Sequence, residues 1–168
     1  MELVPTENQA MVVRTIVAGK ADIQAYANAV LAEAQTEATH WRLSLEEAER
    51  GVVAASAAQE PDQLARWRSQ RTRRLHRLER ADRFLKAVEA GYLPMPRIPT
   101  RRIDWTDKLI PPECLESLAA AKASGLFEHF SIADGSDITG WSGRSSRGRD
   151  PILFGVIGTE LFPLAWWR

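Results

Sequence analysis

The sequence predicts an α+β protein, mostly helical. A short N-terminal helix leads into a long antiparallel two-helix hairpin of coiled-coil type, and a small α-β-β-β head with an antiparallel sheet closes the chain. Three observations carry this. Residues 21–92 hold two apolar heptad seams. A Gln59-Glu60-Pro61-Asp62 break separates them. After Gly125 the pattern changes to short apolar runs bounded by Gly, Pro and Ser, the punctuation of strands and turns. The expected units are an arm at 1–92, a Pro-rich linker at 93–110 and a head at 111–168.

Thr6 and Gln9 have capping-box spacing, and Val12, Val13, Ile16 and Val17 give an apolar face before Gly19. This predicts a packing helix over 7–18. In the first arm Leu31, Ala34, Ala38, Trp41, Leu45, Ala48, Val52 and Ala55 recur at alternating steps of three and four, the rhythm of a coiled-coil seam. Leu64, Trp67, Arg71, Leu75, Leu78, Ala81, Leu85 and Val88 repeat it in the second. Pro61 cannot continue the first helix but suits the first turn of the second.

An antiparallel pair keeps the two residue numbers at a constant sum. A sum of 119 sets Leu31 on Val88, Ala34 on Leu85, Trp41 on Leu78, Val52 on Trp67 and Ala55 on Leu64. Large residues then mostly face small ones, so the layers interdigitate. At Leu45 the register calls for Arg74, and Leu75 is expected to lean in instead. The first arm is acid-rich, whereas 66–83 holds eight arginines. Glu49 falls level with Arg71, and Glu37 with Arg83. Each arm of about 35 residues would be roughly 50 Å long.

Gly91 is the expected C-cap of the second arm. The prolines of Tyr92–Thr100 make a stiff extended linker. Pro111-Pro112-Glu113 opens the head helix, with Leu115, Leu118 and Ala119 as its expected apolar face and Gly125 past its end. Strands are predicted at Leu126–Ala133, Pro151–Gly158 and Glu160–Trp167, with a tight Gly158-Thr159 turn joining the last two. Ile152–Ile157 is apolar on both faces, which suits a central strand. Pro163 sends the last strand to an edge.

Zero formal net charge leaves no bulk field to draw nucleic acid or membrane. The lone Cys114 excludes an internal disulfide or cysteine-based zinc site and fits a reducing compartment. No apolar run nears the roughly 20 residues of a bilayer span, and no signal pattern opens the chain. A cytoplasmic location is expected.

Candidate binding residues fall in three places. Arg66, Arg73, Arg77 and Arg80 share one flank of the second arm within about 60°, off the seam, so the hairpin partner is not expected to neutralise them. Arg144, Arg147 and Arg149 lie in a Gly/Ser-rich loop at Asp134–Asp150, long for a small domain. Trp166 and Trp167 end the chain on opposite faces of a strand, where an exposed one would anchor a partner. Trp41 and Trp67 belong to the seam. Glu37 and His40 have Glu-x-x-His spacing, but four-helix carboxylate sites need two such motifs and further glutamates. No metal, cofactor or catalytic residue is expected.

The first expectation is therefore a non-enzymatic interaction or assembly subunit, in a larger complex or a homo-oligomer. The alternative is a nucleic-acid-binding accessory protein, its stripe and loop holding phosphates. A helical metalloenzyme from paired copies of Glu37 and His40 is the least supported.

Overall fold

The computed structural model describes residues 23–94, 102–103, 112–134 and 151–166. The helix expected over 7–18, most of the linker and the loop with Arg144, Arg147 and Arg149 lie outside these residues. Two long antiparallel helices, α1 (Ile23–Ala57) and α2 (Pro61–Glu89), pack along their length. A short strand, β1 (Arg102–Ile103), then α3 (Pro112–Ser124) and strands β2 (His129–Asp134), β3 (Pro151–Ile157) and β4 (Glu160–Trp166) complete the order. The sheet is antiparallel throughout, in the order β1-β2-β3-β4.

Both hairpin helices end in the same way. Tyr92 N–H donates to the Ala87 carbonyl and Gly91 N–H to that of Val88, each at 2.9 Å, with Gly91 at φ 92°. This is the Schellman geometry, in which a left-handed residue past the helix satisfies its last carbonyls. At the tip, Glu60 N–H donates to Ala55 at 3.1 Å and Gln59 N–H to Ser56 at 3.2 Å. Here the left-handed residue is Gln59, at φ 55°, a conformation unfavourable for any residue with a Cβ. Pro61 then fixes the first turn of α2.

The hairpin core is thin at the tip and thick at the root. Of the residues between 39 and 80, only Ala48 and Ala55 are buried. At the root Ala27, Val30, Leu31, Ala87, Val88 and Leu93 join one cluster with Cys114, Leu118, Phe127, Ile132, Leu153, Ile157 and Phe162. Hairpin and head thus share a core.

Two layers depart from the expected seam. Arg74, not Leu75, reaches across to the first helix beside Leu45, at Ser44 and Glu47. Its guanidinium donates to the Ser44 carbonyl at 2.6 Å and to Glu47 at 2.8 Å, and it lies 6.0 Å from the Trp67 ring centroid. Leu75 is left 38% exposed. The register wins because a long side chain can fill a narrow layer with its stem while its charge reaches acceptors at the rim. Trp67, in turn, lies across Gly51: a Cβ added there would sit 2.3 Å from the ring.

In the head, β3 runs between β2 and β4, and Ile152–Ile157 are all buried. The Gly158-Thr159 turn has Gly158 at φ 61°. β4 lies at the edge of the sheet, and its register shifts beside Pro163, where a proline costs no central ladder bond. The face of α3 is rotated from expectation. Cys114, Leu118 and Ala121 are buried, while Leu115 is 44% exposed and Ala119 is exposed too. Spacings of four and three from Cys114 define the buried stripe, and Leu115 stands about 100° round from it.

Two substitutions should move stability in opposite directions. Gln59→Gly removes the left-handed penalty and should stabilise by about 0.5–1 kcal/mol. Gly51→Ala gains about 1 kcal/mol of helix propensity but overpacks the Trp67 layer by about 1–3 kcal/mol, so it should be neutral to destabilising. Urea midpoints of the two variants against the parent chain check both signs.

Candidate interaction surfaces

The arginine stripe is divided by the fold. Near the root it is engaged within the chain, contrary to the expectation that its members stay unneutralised. The Arg77 guanidinium lies 4.9 Å from the Trp41 ring centroid, in cation–π range. Arg80 Nε donates to Glu128 Oε1 at 3.2 Å, and its Cδ lies against Gly158. Glu128 also accepts the Gly158 N–H at 3.0 Å. Burial would raise its pKa, but these two hydrogen bonds, with the Arg80 and Arg83 charges, outweigh that and hold the carboxyl below its ordinary range. Towards the tip, Arg66 and Arg73 are exposed and make no ion pair among the described residues.

Ion pairs also cross the hairpin. Glu49 meets Arg71 at 3.6 Å, as the register expected, and Glu47 meets Arg74 at 2.8 Å. Arg42 meets Asp82 at 3.4 Å. These pairs are largely exposed, so each contributes about 0–1 kcal/mol, and their main effect is on register.

A cleft of about 530 Å³ lies between hairpin root and head, and the sequence reading missed it. Glu33, Glu37 and Trp41 of α1, Arg77, Arg80 and Phe84 of α2, and Glu160 of β4 line it, with Tyr26 and Pro94. Tyr26 donates its hydroxyl to the Pro94 carbonyl at 2.6 Å. Burial, then the charges of Glu160 and Glu33, push its pKa up to about 12. The carboxyl of Glu160 is raised by burial and by Glu33 and Glu37. The acidic wall is thus a site of repulsion. Glu33 and Glu37, one helical turn apart, could have suggested an acidic face, but Glu160 joins them only through the fold.

Among the described residues, no group of three His, Cys, Asp or Glu side chains could hold a metal ion. Glu37 accepts a long hydrogen bond from Trp41 Nε1 at 3.4 Å, while His40 lies edge-on to the Trp41 ring. Trp166 ends β4, paired with Ile152. Trp167 is outside the described residues. No described helix is long and apolar enough to cross a membrane.

Among the described residues, the two most exposed large apolar groups lie on the distal part of α1. Leu43 is 60% and Val53 69% exposed. An open depression on the same face of α1 is lined by Glu46, Glu49, Arg50, Val53 and Ala54. Comparison with protein families, curated proteins and solved structures gives no match for the chain.

The raised pKa of Glu160 carries a pH signature. Its ionised form is disfavoured in the fold, so its contribution is present below the unfolded pKa and lost as pH rises through the folded one. Glu160→Gln should therefore raise the unfolding free energy at neutral pH by less than about 1 kcal/mol, the group being partly exposed, and with it the urea midpoint. The gain should vanish below about pH 4, where carboxyl groups protonate in both states. Midpoints of variant and parent at the two pH values check this.

Proposed function

We propose that the protein is a non-enzymatic assembly subunit whose distal hairpin is the docking arm. The observation that carries this is the exposure of Leu43, Val53 and Leu75 on a stretch whose own seam buries only Ala48 and Ala55. Such a hairpin section covers little apolar area by itself, and a partner's helix or sheet would cover the rest. α2 adds a surplus of positive charge, nine basic residues against four acidic, which favours a partner face with acidic groups. The head holds the root of the arm and leaves its tip accessible.

The nucleic-acid reading draws less support. Of the described stripe, only Arg66 and Arg73 stand clear of internal partners, and two cations give only a shallow salt dependence.

In native extract the chain should migrate in an assembly heavier than its own 18.8 kDa. Replacing Leu43, Val53 and Leu75 together by Glu should shift it to the single-chain mass with helix content retained. A parent chain already at that mass would overturn the proposal, as would a triple variant that stays in the assembly.

A further inference from the structure

The outer face of α1 carries a second heptad seam, opposite the one that meets α2. Thr39, Leu43, Glu46, Arg50, Val53 and Ala57 follow at alternating steps of four and three. All six are exposed, and Leu43 and Val53 are the two most exposed large apolar residues described. This seam is self-complementary. Laid antiparallel on a copy of itself, with residue numbers at a constant sum of 96, it sets Leu43 on Val53 of the copy, Glu46 on Arg50 and Thr39 on Ala57. Each contact then occurs twice, as a two-fold interface requires.

We infer that a second copy of this chain docks on this face, α1 against α1 and antiparallel, which rests on the docking-arm reading and names the partner. Charge agrees with it. Glu46 and Arg50 are one helical turn apart, yet they form no ion pair with each other or with other described residues. Across the two-fold axis each meets the opposite sign. The glutamates flanking the seam would repel their copies, but Glu47 is paired with Arg74 and Glu49 with Arg71 inside each chain. Two acid-rich helices can therefore approach. A charged layer between two Leu–Val layers also selects this register over slipped ones, because a slip of one heptad either way sets Glu46 on Ala57 or Leu43 and takes it from Arg50. The contact spans about 19 residues, roughly 28 Å of helix. That is short beside a standard interface, so the dimer is weak and depends on concentration.

The test is charge exchange between full-length chains. By sedimentation equilibrium the parent should approach twice 18.8 kDa as concentration rises. Glu46→Arg and Arg50→Glu should each weaken self-association at least about tenfold. Mixed together, the two variants should restore the dimer, although each still carries like charges along its own helix, so repair within the chain cannot explain the rescue. Mixed Leu43→Cys and Val53→Cys chains should also form a disulfide-linked heterodimer on oxidation, a readout that survives if a charge variant folds poorly. A parent that stays monomeric at high concentration, a mixture without rescue, or cysteine chains that do not cross-link would overturn the inference. If the monomeric parent still entered a larger native assembly through Leu43, Val53 and Leu75, the docking arm would stand and only its partner would change.

Discussion

The ring of Phe127 laid flat on Gly155 is the contact that organises the molecule. A Cβ at Gly155 would come 2.4 Å from that ring, so the central strand must be bare at this point. With the strand bare, Phe127 reaches Phe162 at 5.6 Å and Tyr92 at 5.1 Å between centroids, and Phe162 reaches Phe84 of α2 at 5.4 Å. Such tilted and edge-on pairs add about 0.5–1.5 kcal/mol each beyond area burial. The chain of rings runs from the sheet into the root of the hairpin. It joins a head too small to be secure alone to a hairpin that has only one seam of its own.

That joint also sets a gradient along the arm. Close to it, the helices bury Val30, Leu31 and Val88 against the head. Far from it, they have each other alone: only Ala48 and Ala55 are buried, and Leu45, Val52, Leu64 and Trp67 are covered in part. Narrow layers let the helices approach closely, which is why Trp67 needs Gly51. They also remove little apolar surface, and at about 25 cal/mol per Å² the tip gains much less from its seam than the root does from the shared core. Ion pairs such as Glu49–Arg71 hold the register there without adding much stability.

Local signals in the sequence were legible. The Pro61 break, the Gly91 cap, the Gly158-Thr159 turn and the edge position of Pro163 each follow from the backbone chemistry of one or two residues. The antiparallel pairing was legible as well: Glu49 meets Arg71 as the register expects. Glu37 and Arg83, set level by the same register, form no ion pair among the described residues, because Glu37 accepts from Trp41 and the Arg83 charge acts on Glu128. What failed required knowing which neighbour would arrive. The heptad count placed Leu75 in the seam because leucine is apolar, but the geometry of the layer favours the length of Arg74. The apolar pattern of α3 points to Leu115, Leu118 and Ala119, yet the buried side is that of Cys114, Leu118 and Ala121. A helical wheel of α2 leaves Arg77 and Arg80 free because it contains neither Trp41 nor Glu128 of the head. The cleft was invisible for the same reason, since its walls come from α1, α2 and the β3–β4 hairpin.

The cleft and the outer face of α1 are opposed cases. In the cleft, like charges are brought together by packing that serves the joint, and the raised carboxyl of Glu160 records the cost. Its guanidiniums are already committed, Arg77 to Trp41 and Arg80 to Glu128. On the outer face Leu43 and Val53 face water, and Glu46 and Arg50 form no ion pair among the described residues. A helix that had only to pack on α2 would need one apolar stripe, with polar residues elsewhere. On the opposite side α1 carries Leu43 and Val53 in heptad phase, with Glu46 and Arg50 between them. The proposed contact places these four side chains against their complements, whereas the cleft has no guanidinium left to offer.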